Sequence, residues 1–444
     1  MARATKFKYF SIFILIIITL FFRLYQISDR YIFDWDQEDD AIKVMEMIKT
    51  HKPRLIGPRV ANESGFFVGP FHYYFLTPFY IFFNGNPYAG AYAAIFVAVL
   101  TSIATYLIVL KIFNQNIAFF STLFFAATSS VVSWNVMYTP LLSLLIFYLC
   151  YLLIEGKYQV FPYLVFLYSF SFTTHLVPAV LFIPIVASII ASRYKLNQKQ
   201  IFTSIILFLI PLIPLFIFDL RHNFVNLLSL KNFVLSPKQI TDYVPHLFLR
   251  SFWRSINLIY LTNPAVIVFS RIFILLISFF EIIKLKNPKL KILFLLWILA
   301  PIFVLSLYSG NIPEYYYGTT NIIFPILVAL FINRFYSKFL SLALISLFLF
   351  NQSQFFLTKI TGITLKNKLN LARYLVDQTQ DKVFNLSYDL PIGFNSGFSY
   401  LFKYLGKEPQ NIPEGHLYSV FLTSNPPKTG QIVYTDAVIG LERK

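Results

Sequence analysis

Eleven apolar runs separated by short polar loops leave this chain few folds open to it. The first covers about residues 7–22; the others lie near 87–112, 117–133, 139–155, 159–174, 176–192, 201–218, 264–284, 291–308, 319–333 and 338–351. A helix needs roughly 17 to 25 mostly apolar residues to cross a bilayer. Lipid tolerates only segments that satisfy their own backbone hydrogen bonds. The runs therefore predict an all-α polytopic membrane protein with about 11 transmembrane helices. With 57% of residues hydrophobic and 13% charged, apolar side chains must face lipid as well as each other.

The formal net charge of +17 does not imply nucleic acid, because the cations fall in clusters between apolar runs. Threading the helices alternately puts Lys111, Lys157, Arg193, Lys195, Lys199, Lys284, Lys286, Lys289, Lys291, Arg334 and Lys338 on one side. The loops on the other side, around Ser133–Thr139 and Ser309–Gly318, carry no Lys or Arg. The positive-inside rule makes the first side cytoplasmic. The expected location is thus the cytoplasmic (inner) membrane, multi-pass, with the amino terminus inside and the carboxyl-terminal part outside. The first run follows Arg3, Lys6 and Lys8 but precedes bulky residues rather than an Ala-x-Ala site, so it is expected to stay as an uncleaved helix. The single cysteine, Cys150, lies in an apolar run and permits no intramolecular disulfide.

One stretch stands apart. Residues 33–41, FDWDQEDDA, hold Asp34, Asp36, Glu38, Asp39 and Asp40, five of only 20 acids in the chain. They open a first outer loop, about 26–86. Residues 36–50 read as an amphipathic interfacial helix, with Ile42, Met45 and Ile48 along one side and Lys43, Glu46 and Lys49 between them. Asp36 and Asp40 would share a face, one turn apart. As a helix start the stretch also admits a plainer reading: Asp36 as N-cap, with Asp39 and Asp40 favouring the helix dipole. Further along, FHYYFLTPFYIFF is too short to span and is broken by Pro78, so it too is expected at the interface.

A single span, an acidic outer loop and then a Pro-aromatic turn (Gly69-Pro70-Phe71-His72-Tyr73-Tyr74) entering a second helix resemble the C-type membrane glycosyltransferases. The closest likeness is to the group of protein O-mannosyltransferases and lipid A aminoarabinose transferases. DQEDDA matches that group's Asp-Glu pair at Asp36, with Gln37 where Glu is usual; GPFHYY matches its Pro-Pro-Leu-Tyr-Tyr-like stretch. The resemblance covers residues 1 to about 350. It implies an inverting transfer from a polyprenyl-phosphate-linked sugar to a hydroxyl on a glycan, lipid or protein acceptor, beside membrane lipid. A hydroxyl acceptor needs a general base, and Asp36 is the choice, with Asp40 beside it on the substrate side. The leaving phosphate needs positive charge or donors. Arg59, His72, Arg221 and His222 are the candidates on the same side. His175 is a candidate substrate contact, and Glu314 with Tyr316, in SGNIPEYYYGTTN, a contact for the lipid carrier. Each has an ordinary alternative: snorkelling for Arg221, a helix-end role for His175, an aromatic belt for the tyrosines. No cofactor is required by this reading. Asp34 and Asp36 nevertheless form a D-x-D pair whose oxygens suit Mg or Mn, as in related oligosaccharyltransferases, whereas the mannosyl and aminoarabinosyl branches are described as working without one.

Residues 1–351 thus read as a transmembrane glycosyltransferase domain. From 352 to 444 the composition changes. LKNKLNLARYLVDQTQ reads as a helix, and DKVFNLSYDL, YSVFLTS and GQIVYTDAVIGLE as strands of a small α/β extracytoplasmic domain. A transporter or flippase of a lipid-linked glycan is the main rival, but transport places ionisable groups near the midplane of spans. Here Arg23, Arg271 and Glu281 fall toward span ends. A glycan ligase or polymerase would centre on a late loop rich in Arg and His, and a mere scaffold leaves the acids unexplained.

Overall fold

The computed structural model describes the chain except residues 1, 61–64, 129–130, 194–196, 236–246, 257–263, 309–311, 336–338, 359–361, 381, 392, 411–414 and 428–429. It is mostly helical, with one small sheet near the carboxyl end. Every apolar run forms helix, but not eleven uninterrupted ones. Among the described residues four helices are long and apolar enough to cross a membrane: Ala89–Ile112, Asn135–Ile154, Gln198–Arg221 and Pro288–Ser306. A fifth arises if Glu314–Asn321 and Ile323–Arg334, bent by 45° to each other, count as one. Gln115–Ala126 and Val177–Ser192 are apolar but shorter. Helices of 23, 21 and 19 residues, Ala2–Leu24, Pro264–Lys284 and Phe339–Leu357, carry the remaining long runs. Runs shorten where a proline enters a 3-10 turn, as Pro178 does in Val177–Leu181, because a turn of that kind interrupts the α-helical ladder.

The helices make this a multi-pass membrane protein. Gln198–Arg221 shows why: only 6% of its apolar window is buried inside the protein, and Phe202, Ile205, Leu209, Ile213 and Phe216 point outward. Apolar surface on that scale needs lipid. The interior is closed by large rings, with Trp297, Phe147 and Phe294 fully buried. Trp297 donates from Nε1 to Ser143 Oγ at 2.9 Å, and Ser143 donates to the Thr319 carbonyl at 2.6 Å, so three segments are tied without leaving the indole N–H unmet. Arg334 makes a two-pronged bond to buried Glu281, at 2.9 and 2.8 Å, the parallel geometry in which a guanidinium fork matches a carboxylate.

Past the last apolar helix, which runs to Leu357 and so beyond the boundary expected at 351, the chain forms the helix Leu365–Thr379 and a four-stranded sheet. β1 (Phe384–Asp389) lies parallel to β2 (His416–Leu422); β4 (Ile439–Arg443) is antiparallel to β2 and to β3 (Gln431–Thr435), in the order β1-β2-β4-β3. The helix and strands fall where the sequence places them. The seven-residue helix Phe398–Tyr404 does not, being too short to show a period.

The acidic stretch does become a helix, Trp35–Thr50. Its cap is Asp34, not Asp36, and Gln37 Oε1 closes the capping box by accepting from the Asp34 N–H at 3.0 Å. Its buried face is Gln37, Asp40, Ala41 and Val44, which corrects the side expected from Ile42, Met45 and Ile48. These three are only partly covered. The rotation follows from what the helix meets: Phe71–Phe82, the second interfacial helix, offers His72 to Asp40.

Candidate active site

The five acids have five different settings. Asp34 pairs with Lys368 at 2.5 Å. Glu38 accepts the backbone N–H of Gly397 at 2.7 Å and of Tyr400 at 2.9 Å. Asp39 pairs with Lys43 one turn on. Asp40 is buried and bonded to His72 Nε2 at 2.8 Å. Asp36 has no hydrogen-bond or ion-pair partner among the described residues.

The Asp40 bond continues inward. His72 is fully buried, and its Nδ1 lies 3.0 Å from the Tyr138 hydroxyl. Nε2 bonds Asp40 and Nδ1 bonds the Tyr138 hydroxyl, so both ring nitrogens are satisfied. This chain of three couples the acidic helix to Phe71–Phe82 and to the turn Asn135–Tyr138. The approach is tight. A Cβ on Gly57 would stand 2.0 Å from the Gly69 carbonyl oxygen, and one on Gly69 2.8 Å from Thr173 Cβ. Only glycine lets the Gly57 and Gly69 strands and Thr173 stack at that spacing.

Solvent reaches Asp36, yet enough protein crowds it to raise its pKa to about 6. Loss of solvation is the main cause, followed by repulsion from Asp40 and Asp39, with His72 pulling the other way. Its charge is felt at Tyr315, in the 3-10 turn Glu314–Tyr317. Residues of this turn line two cavities. The larger, of about 840 Å³, is lined by Arg23, Arg254, Arg271, Glu314 and Tyr315 above apolar residues including Phe124, Val136 and Ile322. The Nε atoms of Arg23 and Arg271 are buried without a hydrogen-bond partner. The smaller, of about 280 Å³, is lined by His175, Tyr308 and Tyr316 among apolar residues such as Val180, Phe233 and Leu305. The rings of Tyr315 and Tyr316 are 5.2 Å apart, so adjacent residues face different cavities. Trp134 and His175 both meet Tyr315 edge-on, at 5.9 and 6.2 Å. Burial lowers the His175 pKa to about 4. Its Nδ1 accepts the Val177 N–H at 3.0 Å, so a neutral ring carries its proton on Nε2.

Of the residues expected from sequence, Glu314 lines the larger cavity and His175 and Tyr316 the smaller, whereas Asp36 lines neither and acts on Tyr315 through its charge. Asp40 and His72 are adjacent but satisfy each other, which leaves His72 unsuited to a phosphate. Arg59 is exposed, on an isolated bridge to Phe67. Arg221 and His222 are exposed at a helix end, where His222 stacks on Phe218 and bonds its carbonyl oxygen. None of those three lines either cavity. The cations that do are Arg23, Arg254 and Arg271. The stretch PHLFLRSFWRSINLIYL, residues 245–261, reads as a basic amphipathic helix on the membrane surface, and its described residues hold the helix Leu247–Ser255, but no local signal aims Arg254 at Glu314, to which it donates at 3.3 Å. Lys368 was equally hidden, lying 334 residues from its partner. The two members of the D-x-D pair differ in what holds them. The Asp34 carboxylate is already held by Lys368, and among the described residues no three His, Cys, Asp or Glu side chains converge.

No family model and no curated protein sequence matches this chain. Solved structures do. ArnT from Cupriavidus metallidurans bound to undecaprenyl phosphate superposes with a TM-score of 0.62 at 10% identity, over 99% of this chain and 98% of ArnT. Its apo state gives 0.61 at 11% identity over the same shares. The archaeal oligosaccharyltransferase AglB from Archaeoglobus fulgidus, in complex with an inhibitory peptide and a dolichol-phosphate, gives 0.51 at 12% identity over 91% of this chain and 64% of AglB. At such identity the likeness is one of fold, and it is end to end with ArnT: the chain has the C-type fold of membrane glycosyltransferases.

Proposed function

We propose that this protein transfers a sugar from a polyprenyl-phosphate donor to a hydroxyl acceptor, with inversion, at the outer face of the cytoplasmic membrane. One observation carries the reading. Of five clustered acids, only Asp36 has no partner among the described residues, and its charge acts on Tyr315, which lines a cavity together with Arg23, Arg254 and Arg271. The larger cavity suits a lipid phosphate, because its apolar wall fits a chain and Arg23, Arg254 and Arg271 bring positive charge to its lining. The solved neighbours point the same way: ArnT was captured with undecaprenyl phosphate, and AglB with a dolichol-phosphate.

In the proposed step the acceptor oxygen attacks the anomeric carbon as the bond from that carbon to the phosphate oxygen breaks. The acceptor proton passes to Asp36, and the electron pair leaves on the polyprenyl phosphate, stabilised by the arginines. A carboxylate of pKa about 6 is ionised at neutral pH and a better base than an ordinary aspartate. His175, neutral with an Nε2–H, is suited to hold a sugar or acceptor hydroxyl without adding charge.

The test is turnover of radiolabelled polyprenyl-phosphate sugars by purified protein in lipid, with and without chelator. Sugar release or transfer that is lost in Asp36→Asn supports the reading, and the chelator lanes decide the metal question. Movement of lipid-linked glycan between leaflets with no donor consumed would replace it with a flippase.

A further inference from the structure

We infer that Lys368, which belongs to the carboxyl-terminal α/β domain, is a positioning residue of the transfer site: it fixes the start of the acidic helix and with it the direction in which Asp36 is presented. The inference rests on Asp36 being the base. Lys368 is fully buried, and its ammonium has three donors and three acceptors: Asp34 Oδ1 at 2.5 Å, the Phe33 carbonyl at 2.9 Å and the Ser396 carbonyl at 2.8 Å. Nothing is left over for a substrate. Such a lysine serves geometry, since a buried ammonium is tolerated only when fully bonded.

A second brace acts one turn on. Glu38 accepts the N–H groups of Gly397 and Tyr400 at the start of the helix Phe398–Tyr404. Residues 34 and 38 are thus both held by the carboxyl-terminal domain, and Asp36 lies between them. The close approach is built into the backbone. Gly397 has φ +92°, and a Cβ there would lie 2.4 Å from the Phe33 carbonyl oxygen and 3.2 Å from Lys368 Nζ. Tyr400 adds a hydroxyl bond to the Gly85 carbonyl at 2.6 Å, and Leu365 donates its N–H to the Tyr31 carbonyl at 2.8 Å. The carboxyl-terminal domain is therefore neither a detached cap nor only an acceptor reader. It is one wall of the mould that aims the base.

The test uses full-length protein in lipid with a saturating polyprenyl-phosphate sugar, comparing wild type, Lys368→Met, Lys368→Arg, Asp36→Asn and the pair Lys368→Met with Asp36→Asn. Lys368→Met should lower kcat by up to about 100-fold, the scale set by misplacing a catalytic group by about 1 Å, with donor KM within a factor of about two. Lys368→Arg should restore part of the loss. In the Asp36→Asn background Lys368→Met should add almost nothing, because both changes disable the same group. Losses that multiply in the double variant, or a KM effect without a kcat effect, would overturn the inference and leave Lys368 as a stability residue. If Lys368→Met is not recovered folded, Glu38→Gln carries the same comparison, and an additive loss there overturns it equally. Failure of the Asp36 reading looks different: Asp36→Asn itself would turn over like wild type.

Discussion

The two sides of the acidic helix make opposite uses of the same residue type. On one side Asp34 and Glu38 are held: each accepts bonds from the carboxyl-terminal α/β part, and neither oxygen of Glu38 is idle. On the other, Asp36 is left without a partner among the described residues, while Asp40, one turn further, is bonded to buried His72, which in turn meets Tyr138. Carboxylates two residues apart thus end as a held group and an open one because their neighbours differ. A concentration of acids does not by itself mark chemistry; the unsatisfied member of a satisfied cluster does.

The comparison is most sharply broken at Asp36. Asp36→Asn should reduce kcat by about 10²- to 10⁴-fold, the usual contribution of a general base, measured as sugar transfer, and a smaller loss would put the base elsewhere. Next in size is His72→Ala, which strands the Asp40 charge in a buried site. A loss of about 3 to 5 kcal/mol of stability is expected from breaking a pair of that kind, read by thermal unfolding in detergent. Tyr138→Phe, removing one bond from the same chain, should cost about 1 kcal/mol. Smallest is Asp39→Asn, whose pair with Lys43 is partly exposed and should be worth less than about 1 kcal/mol. If it instead rivals His72→Ala, the division between sealed and exposed acids is wrong.

The pH dependence has a definite sign. The folded pKa of Asp36 lies near 6, above the 3.8 ordinary for an aspartate, so the folded protein binds this proton more tightly than the unfolded chain does. Between those values stability contributed by this group falls as pH rises, and at pH 7 its charge opposes folding. Activity runs the other way, since the base must be ionised, and transfer should decline below about pH 6. Asp36→Asn should therefore melt higher than wild type at pH 7 while being inactive. Equal melting temperatures at pH 7 would mean that Asp36 is not in fact crowded.

Part of this site was legible beforehand. The resemblance at DQEDDA and GPFHYY pointed to Asp36, and the run EYYYG placed Glu314 and Tyr316 at a span mouth, where the structure has them. Arg221 and His222 misled because the side of the membrane on which a residue lies does not say which cavity it reaches. His72 misled because a histidine near acids was taken as free to bind phosphate, when its buried acid partner already occupies it. Helix counting misled in a related way. Prolines and 3-10 turns break apolar runs into shorter helices, and hydropathy does not register the break.

By itself the sequence determined the membrane class, the helical body, the position of the sheet and the place of the acids, because hydrophobic length, charge bias and residue alternation are properties of contiguous segments. Only the tertiary structure decided which acid stays free, which arginines line the larger cavity and that Lys368 holds the helix on which that acid stands. Those outcomes depend on pairings such as Lys368 with Asp34, hundreds of residues apart in the chain, and a pairing is settled by burial and geometry that no local segment contains.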